Sequence, residues 1–247
     1  MTDPRVLEPI AARGWPAAES AKLGGWRLHA SAGQSGRINT CWPLDAPDRA
    51  IDEAIAAAEA WYERRELAPR FKIVEGWSHP PDLAERLAAR GYTPRTPTLT
   101  MVGPLAGELD LDAVIAAQPD AAFRSVFADP VFGADADARE RLEALARIPD
   151  PRGFGVIRID GAPAAVGVCA IDREWAGIMG MRTAPTFRRR GLARRIFRTL
   201  TAFAANSDAR QGYLQVDEDN ASAIALYEAE GFVSKYLYRY WVREELG

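Results

Sequence analysis

Apolar and polar positions alternate most sharply in the C-terminal half of the chain. Residues 154–159 form a short alternating run that meets Asp160-Gly161, a dipeptide suited to a hairpin turn because both positions tolerate positive φ. A second strand follows over 164–171, rich in Val, Cys and Ala, and a third over 176–183 stops at Pro185. A long helix with a basic start is predicted over 192–205, a fourth strand over 212–216 and a helix over 221–230. Gly231 ends that helix, as a C-terminal glycine does by adopting the left-handed conformation. The last strand, 236–242, is aromatic and alternating. The order β-β-β-α-β-α-β predicts an α/β layered fold around a mixed sheet. Ahead of it, 111–117 and 136–148 read as helices, the second with Arg139, Arg141, Glu143 and Arg147 on the polar side of Leu142, Leu145 and Ile148.

The N-terminal half repeats the plan more weakly. Runs 26–31 and 37–44 read as strands joined by a turn at Gly33-Gln34-Ser35-Gly36. A helix rich in Ala and Glu is predicted over 48–66, a strand over 71–74, a helix over 83–90 capped by Gly91 and a strand over 96–102. Phe71-Lys72-Ile73-Val74, a helix and Gly91-Tyr92 correspond to Tyr213-Leu214-Gln215-Val216, a helix and Gly231-Phe232. The Val-to-Gly interval is 17 residues in the first copy and 15 in the second. The sequence therefore predicts a tandem internal repeat, with its joint in the Gly/Pro-rich stretch 103–107 and domains over 1–105 and 106–247.

Composition narrows the function. The 247 residues carry a formal net charge of −3, against the basic excess of a nucleic-acid binder. Two cysteines, Cys41 and Cys169, and two histidines, His29 and His79, are too few and too scattered for a disulfide framework or a metal site. The expectation is no metal and two reduced core thiols. The first 14 residues have no apolar signal-peptide core and no run of ~18 apolar residues exists, so the expectation is a cytoplasmic chain with no membrane span.

The segment with chemistry in it is Met181-Arg182-Thr183-Ala184-Pro185-Thr186-Phe187-Arg188-Arg189-Arg190-Gly191-Leu192-Ala193. A strand ends, a loop carries three arginines and a glycine, and a helix opens. The first turn of a helix has unpaired N–H groups and the positive end of the dipole, which suits phosphate. Gly191 lets an anion approach the backbone and Ala193 keeps the next turn open. Three arginines at a helix N-terminus are unfavourable unless an anion sits there, so a merely solvated basic face fits poorly.

Arg188-x-x-Gly191-x-Ala193 resembles the pyrophosphate signature of the GNAT acyltransferase superfamily. A later stretch, Leu214-Gln215-Val216, Asn220, Ala223, Leu226-Tyr227 and Gly231-Phe232, resembles that family's second motif. The resemblance covers about a third of the chain. It implies two GNAT-like domains in tandem, each a mostly antiparallel mixed sheet flanked by helices. It also implies transfer of an acetyl group from acetyl-CoA to a primary amine. By the same resemblance, Met181, Arg182, Thr183, Arg188, Arg189, Arg190, Gly191, Leu192, Ala193, Asn220 and Tyr227 hold the cosubstrate. The Tyr227 phenol gives a proton to the leaving thiolate. Asp217, Glu218 and Asp219 follow the strand, and Glu218 is chosen as general base, a solvated acidic turn being the other reading. The leading acceptor is a small-molecule amine, with no nucleic-acid or membrane partner and a monomer or homodimer. The alternatives are a protein N-terminus or lysine as acceptor, or a non-catalytic acyl-CoA sensor.

The N-terminal copy departs from the signature. Its loop, Asp45-Ala46-Pro47-Asp48-Arg49-Ala50, has no glycine and places two acids where phosphates would sit. It is expected to be a degenerate copy with a structural or acceptor-walling role. Trp26, Arg37, Asn39 and Trp42 on its strands look exposed; the two tryptophans are expected chiefly to pack, contact with the acceptor being the other reading.

Overall fold

The computed structural model of the chain describes residues 2–243. In chain order, the elements up to residue 103 are α1 (Pro4–Gly14), β1 (Glu19–Leu23), β2 (Trp26–Ala30), β3 (Thr40–Pro43), α2 (Ile51–Glu63), β4 (Arg70–Val74), α3 (Leu83–Ala89) and β5 (Thr93–Gly103). There follow β6 (Ala113–Ala116), α4 (Ala121–Phe127), α5 (Asp135–Ala146), β7 (Arg152–Ile159), β8 (Ala162–Asp172), β9 (Trp175–Thr183), α6 (Leu192–Ala205), β10 (Gln211–Asp217), α7 (Ala221–Ala229) and β11 (Val233–Val242). The fold is mixed α/β, as the order of elements predicts.

Two compact units form. The first holds the residues up to Thr100, Asp217–Asn220 and the stretch from Lys235 on. The second holds Met101–Val216 and Ala221–Ser234.

In the first unit the strands run β1-β2-β3-β4-β11-β5. β1, β2 and β3 are antiparallel neighbours, β3 meets β4 in parallel at the single pair Cys41↔Phe71, and β11 runs antiparallel to β4 from Tyr238↔Val74 to Val242↔Arg70. The last strand of the chain thus completes the unit built by its beginning. One face of these strands, with Trp26, Leu28, Cys41, Phe71 and Ile73, packs on α2 and α3. Ala54, Ile55, Ala58, Trp61 and Tyr62 form the buried stripe of α2 at helical spacing. Trp26 is fully buried there and its indole N–H donates to His79 O at 3.3 Å, while Asn39 Oδ1 accepts from the N–H groups of Ser31 and Gly33, so both residues serve packing and local structure.

In the second unit the order is β10-β9-β8-β7-β6, antiparallel except for the parallel β9–β10 pair. α6 lies across β7, β8 and β9 and α4 packs on the same three strands. Leu192, Ile196, Phe197 and Leu200 are the buried stripe of α6. Cys169, like Cys41 in the first unit, is a buried free thiol.

The structure corrects several expectations. The predicted helix over 111–117 is instead the strand β6, paired with β7 from Ala113↔Ile157 to Ala116↔Phe154. Val114 and Ile115 are β-branched and stiff, and Arg195 holds both Asp110 and Asp112 at 2.6 Å, anchoring the chain as it enters the strand. The strand expected over 37–44 is a single 3₁₀ turn, Gly36–Ile38, and then the shorter β3. The α2 helix is also shorter than its Ala/Glu run, starting at Ile51. Two helices were not foreseen although both carry a cap: Asp3 accepts from Arg5 N–H at 2.8 Å ahead of Pro4, and Asp120 accepts from Phe123 N–H at 2.7 Å.

Candidate active site

The candidate site lies in the second unit, where two parallel strands part. β9 and β10 pair only over Trp175–Gly177 and Gln211–Tyr213. Beyond Gly177 the β10-side backbone groups of β9 are released from the ladder. The other edge of β9 is irregular at the same level: Val168 pairs with Met179 and Val166 with Arg182, leaving Gly180 and Met181 opposite Gly167. This is a β-bulge, which bends the strand away from its neighbour. Gly180 takes φ +62°, and a Cβ there would stand 3.0 Å from the Phe127 ring, so the bulge needs a glycine.

After β9 a 3₁₀ turn, Pro185–Phe187, leads into the arginine loop. Arg188, Arg189, Arg190 and Gly191 are exposed, and Leu192 is buried as the first anchor of α6. Arg189 holds φ 60° and Gly191 φ 74°. A non-glycine residue in the left-handed region is uncommon and marks strain at a loop that must keep a set shape. The Gly191 carbonyl accepts from the N–H groups of Arg194 (3.1 Å) and Arg195 (3.2 Å). The N–H groups of Gly191, Leu192 and Ala193 therefore precede the helical ladder and point outward along the axis. No side chain caps the helix, and a Cβ on Gly191 would meet nothing within 4 Å, so the approach to these donors is open. Arg188 donates weakly to Thr183 O (3.4 Å) and lies over the Phe132 ring, and Arg190 lies over Phe187.

Tyr227 projects from α7 onto α6, its ring centroid 5.1 Å from that of Phe197. Burial pushes its phenol up to about 12. The hydroxyl is thus fully protonated at neutral pH and able to donate. Its helix is fixed to α6 by Glu230, which accepts from Arg194 and lies 3.7 Å from Arg198, and by Phe232 packed edge-on against Phe197. Neither Phe197 nor Glu230 is marked by any local sequence signal, because their roles depend on contacts between α6 and the α7 segment.

The remaining predicted residues take distinct places. The Arg182 guanidinium donates to Phe127 O and lies over the rings of Phe127 (4.4 Å) and of Phe132 (4.8 Å), the ring that Arg188 also covers, and burial lowers its pKa to about 10. Its backbone pairs with Val166 on β8. Met181 lies under the sheet, its sulfur close to Gly167. Asn220 is exposed and immediately precedes α7, with its N–H donating to Asp217 O at 3.0 Å. Glu218 is exposed in the same turn, with its N–H donating to Pro97 O at 2.8 Å. Among the described residues no group of three His, Cys, Asp or Glu could hold a metal, and no helix is long and apolar enough to cross a membrane.

A family model described as "Probable histone acetyltransferase Rv0428c C-terminal" matches residues 2–241. The chain is 25% identical over 249 residues to the uncharacterized N-acetyltransferase YobR of Bacillus subtilis, covering 97% of this chain and 99% of that one. It is 28% identical over 246 residues to the probable histone acetyltransferase Rv0428c of Mycobacterium tuberculosis, covering 98% of this chain and 75% of that one. Among solved structures, a GCN5-related N-acetyltransferase from Kribbella flavida superposes with a TM-score of 0.73 at 19% identity, over 98% of this chain and 96% of that one, a likeness of fold. The full-length family match, together with parted strands beside an open, arginine-flanked helix start, places the chain in the Rv0428c C-terminal acetyltransferase family, as an N-acetyltransferase of the GNAT superfamily.

Proposed function

We propose that this acetyltransferase takes its acetyl group from acetyl-CoA and passes it to the primary amine of a small molecule by direct attack. The observation that carries the reading is the run from the β9 bulge to the first turn of α6. The released β9 backbone at Gly180–Thr183 suits the pantetheine arm and the thioester carbonyl, and the free N–H groups at Gly191–Ala193 with Arg188–Arg190 suit the pyrophosphate. A backbone N–H aimed at the carbonyl oxygen stabilises the charge that develops there. The amine nitrogen bonds to the carbonyl carbon, the C–S bond breaks, and the thiolate takes its proton from Tyr227. The nitrogen loses its proton to water or to Glu218. Asn220 is assigned to the cosubstrate arm.

The N-terminal unit is read as a degenerate copy that takes no cosubstrate. There too the parallel pair, β3 and β4, meets at one position only, but the carbonyl of Pro43 on β3 accepts from His79 N–H at 2.8 Å and Ala46 O accepts from Gly25 N–H at 2.7 Å. Protein groups already use the edge that a cosubstrate would need, and Asp45 and Asp48 repel phosphate.

Calorimetric titration with acetyl-CoA, followed by thiol release against amines, amino acids and peptides, tests the reading. One equivalent bound per chain, with release driven by a small amine, is expected. Absence of binding overturns the cosubstrate assignment, and a second equivalent overturns the degenerate-copy reading. Release driven only by peptides establishes the second reading, a protein amine, which the description of the mycobacterial relative as a histone acetyltransferase favours.

A further inference from the structure

A series of rings and guanidiniums runs from the core of the second unit to the arginine loop. Phe154, Phe123 and Phe127 are buried. Phe123 meets Phe154 edge-on with centroids 5.4 Å apart and stacks on Phe127 at 5.2 Å. The Arg182 guanidinium lies over Phe127 at 4.4 Å and over Phe132 at 4.8 Å, and that of Arg188 lies over Phe132 at 5.5 Å. Each guanidinium is within the ~6 Å at which a cation is attracted to a ring face. Phe132 therefore links the packed rings to Arg188.

Phe132 is itself held firmly. It ends the 3₁₀ turn Pro130–Phe132, where Pro130 fixes φ, Asp129 Oδ1 accepts from Val131 N–H at 2.9 Å and Asp129 O accepts from Phe132 N–H at 2.9 Å. Arg188 has fewer ties. It donates to Thr183 O at 3.4 Å, and among the described residues it has no carboxylate partner. The carboxylates of this region are engaged elsewhere. Asp137 takes Arg141 at 2.7 Å and Asp129 caps the turn. The charges of Arg141, Asp137 and Asp129 act on Arg182. Arg189 and Arg190, both exposed, add positive charge beside Arg188, with Arg190 over the Phe187 ring at 5.4 Å.

A carboxylate beside Arg188 would orient it and also cancel its charge. A ring orients the guanidinium and leaves the charge for an anion. A long side chain ordered before its ligand arrives does not have to be ordered on binding, and fixing one such side chain is worth about 2- to 10-fold in affinity. We propose that Phe132 is a positioning residue, holding the Arg188 guanidinium in place with its charge intact for the pyrophosphate of the cosubstrate. This role rests on the reading of the arginine loop as the pyrophosphate site, and it gives that site a residue from the turn between α4 and α5.

Calorimetric titration of the full chain with acetyl-CoA tests it on Phe132→Leu, Phe132→Tyr, Arg188→Gln and the double variant Phe132→Leu with Arg188→Gln. Leucine keeps an apolar side chain and removes the ring, whereas tyrosine keeps the ring. Phe132→Leu is expected to weaken binding about 3- to 10-fold, and Phe132→Tyr to stay within about twofold of wild type. Once Arg188 is Gln, Phe132→Leu is expected to add no more than about twofold, because the two residues act as a unit. A merely structural loss gives a different result, since damage to the turn or to Arg182 weakens binding with or without the Arg188 charge. Three outcomes overturn the proposal: Phe132→Leu within about twofold of wild type, an equal loss in both Arg188 backgrounds, or tyrosine binding no better than leucine. Each of them leaves the pyrophosphate reading standing when the wild type binds one equivalent, and absence of binding by the wild type overturns both.

Discussion

Replacing Gly191 by Ala separates the backbone requirement of the arginine loop from simple crowding. Gly191 sits at φ +74° and a Cβ there meets no atom within 4 Å, so the added methyl clashes with nothing in the protein. Two effects remain. An L-residue in the left-handed region costs ~1 kcal/mol or somewhat more, which lowers Tm by about 2–4 °C for a chain of this size. The strain cannot be relieved by moving α6, whose Leu192, Ile196, Phe197 and Leu200 are buried. It is relieved in the loop, which turns the N–H groups of Gly191–Ala193 away from the pyrophosphate, and the methyl stands in the anion's approach. A hydrogen bond to a charged group contributes about 1.5–3 kcal/mol, so loss of one weakens CoA binding by ~10- to 100-fold. Gly161→Ala is the control, since Gly161 has φ +80° and open space at its Cβ in the β7–β8 turn. Calorimetry with CoA and thermal unfolding on both variants give the comparison. A similar fall in Tm for both, with weaker CoA binding only for Gly191→Ala, is expected. A dissociation constant for Gly191→Ala within twofold of wild type, at a lowered Tm, refutes the phosphate assignment.

Tyr227→Phe should lower kcat by ~10²-fold or more, the usual worth of a positioned general acid, while CoA affinity stays near wild type; unchanged turnover would assign the proton to water. Lys72→Met strands the Glu8 carboxylate in a buried site and should cost about 3–5 kcal/mol in urea unfolding, with most of it recovered by adding Glu8→Gln. His29, whose pKa burial lowers to about 4 from 6.5, stays neutral in the fold while the unfolded chain takes up a proton. Its contribution is complete above pH 6.5 and is lost as pH falls toward 4, about 2–3 kcal/mol by pH 4.5. Urea unfolding at pH 7 and 4.5 should show a smaller drop in His29→Gln, and an equal drop in both proteins would exclude this histidine as the source.

The sequence by itself determined whatever is local in physical origin. The Asp160-Gly161 turn, the strand 176–183, the glycine before α6 and the arginines beside it rest on backbone sterics and helix-end electrostatics within a few residues, and all are found where the pattern put them. Tyr227 was singled out through the resemblance carried by Leu226-Tyr227 and Gly231-Phe232. Tertiary structure decided what depends on a partner distant in sequence. Residues 113–116 are a strand because β7 offers an edge and Arg195 pins the approach, although their local pattern reads as a helix. β11 alternates like any half-buried strand, and nothing in that alternation says that its neighbour is β4 at the other end of the chain. Lys72 stands where period-two alternation puts a solvent-facing residue. It is buried because α1, some sixty residues earlier, covers that face and brings Glu8 to meet it. Alternation reports which side of a strand a residue takes; only the assembled layers determine whether that side meets water.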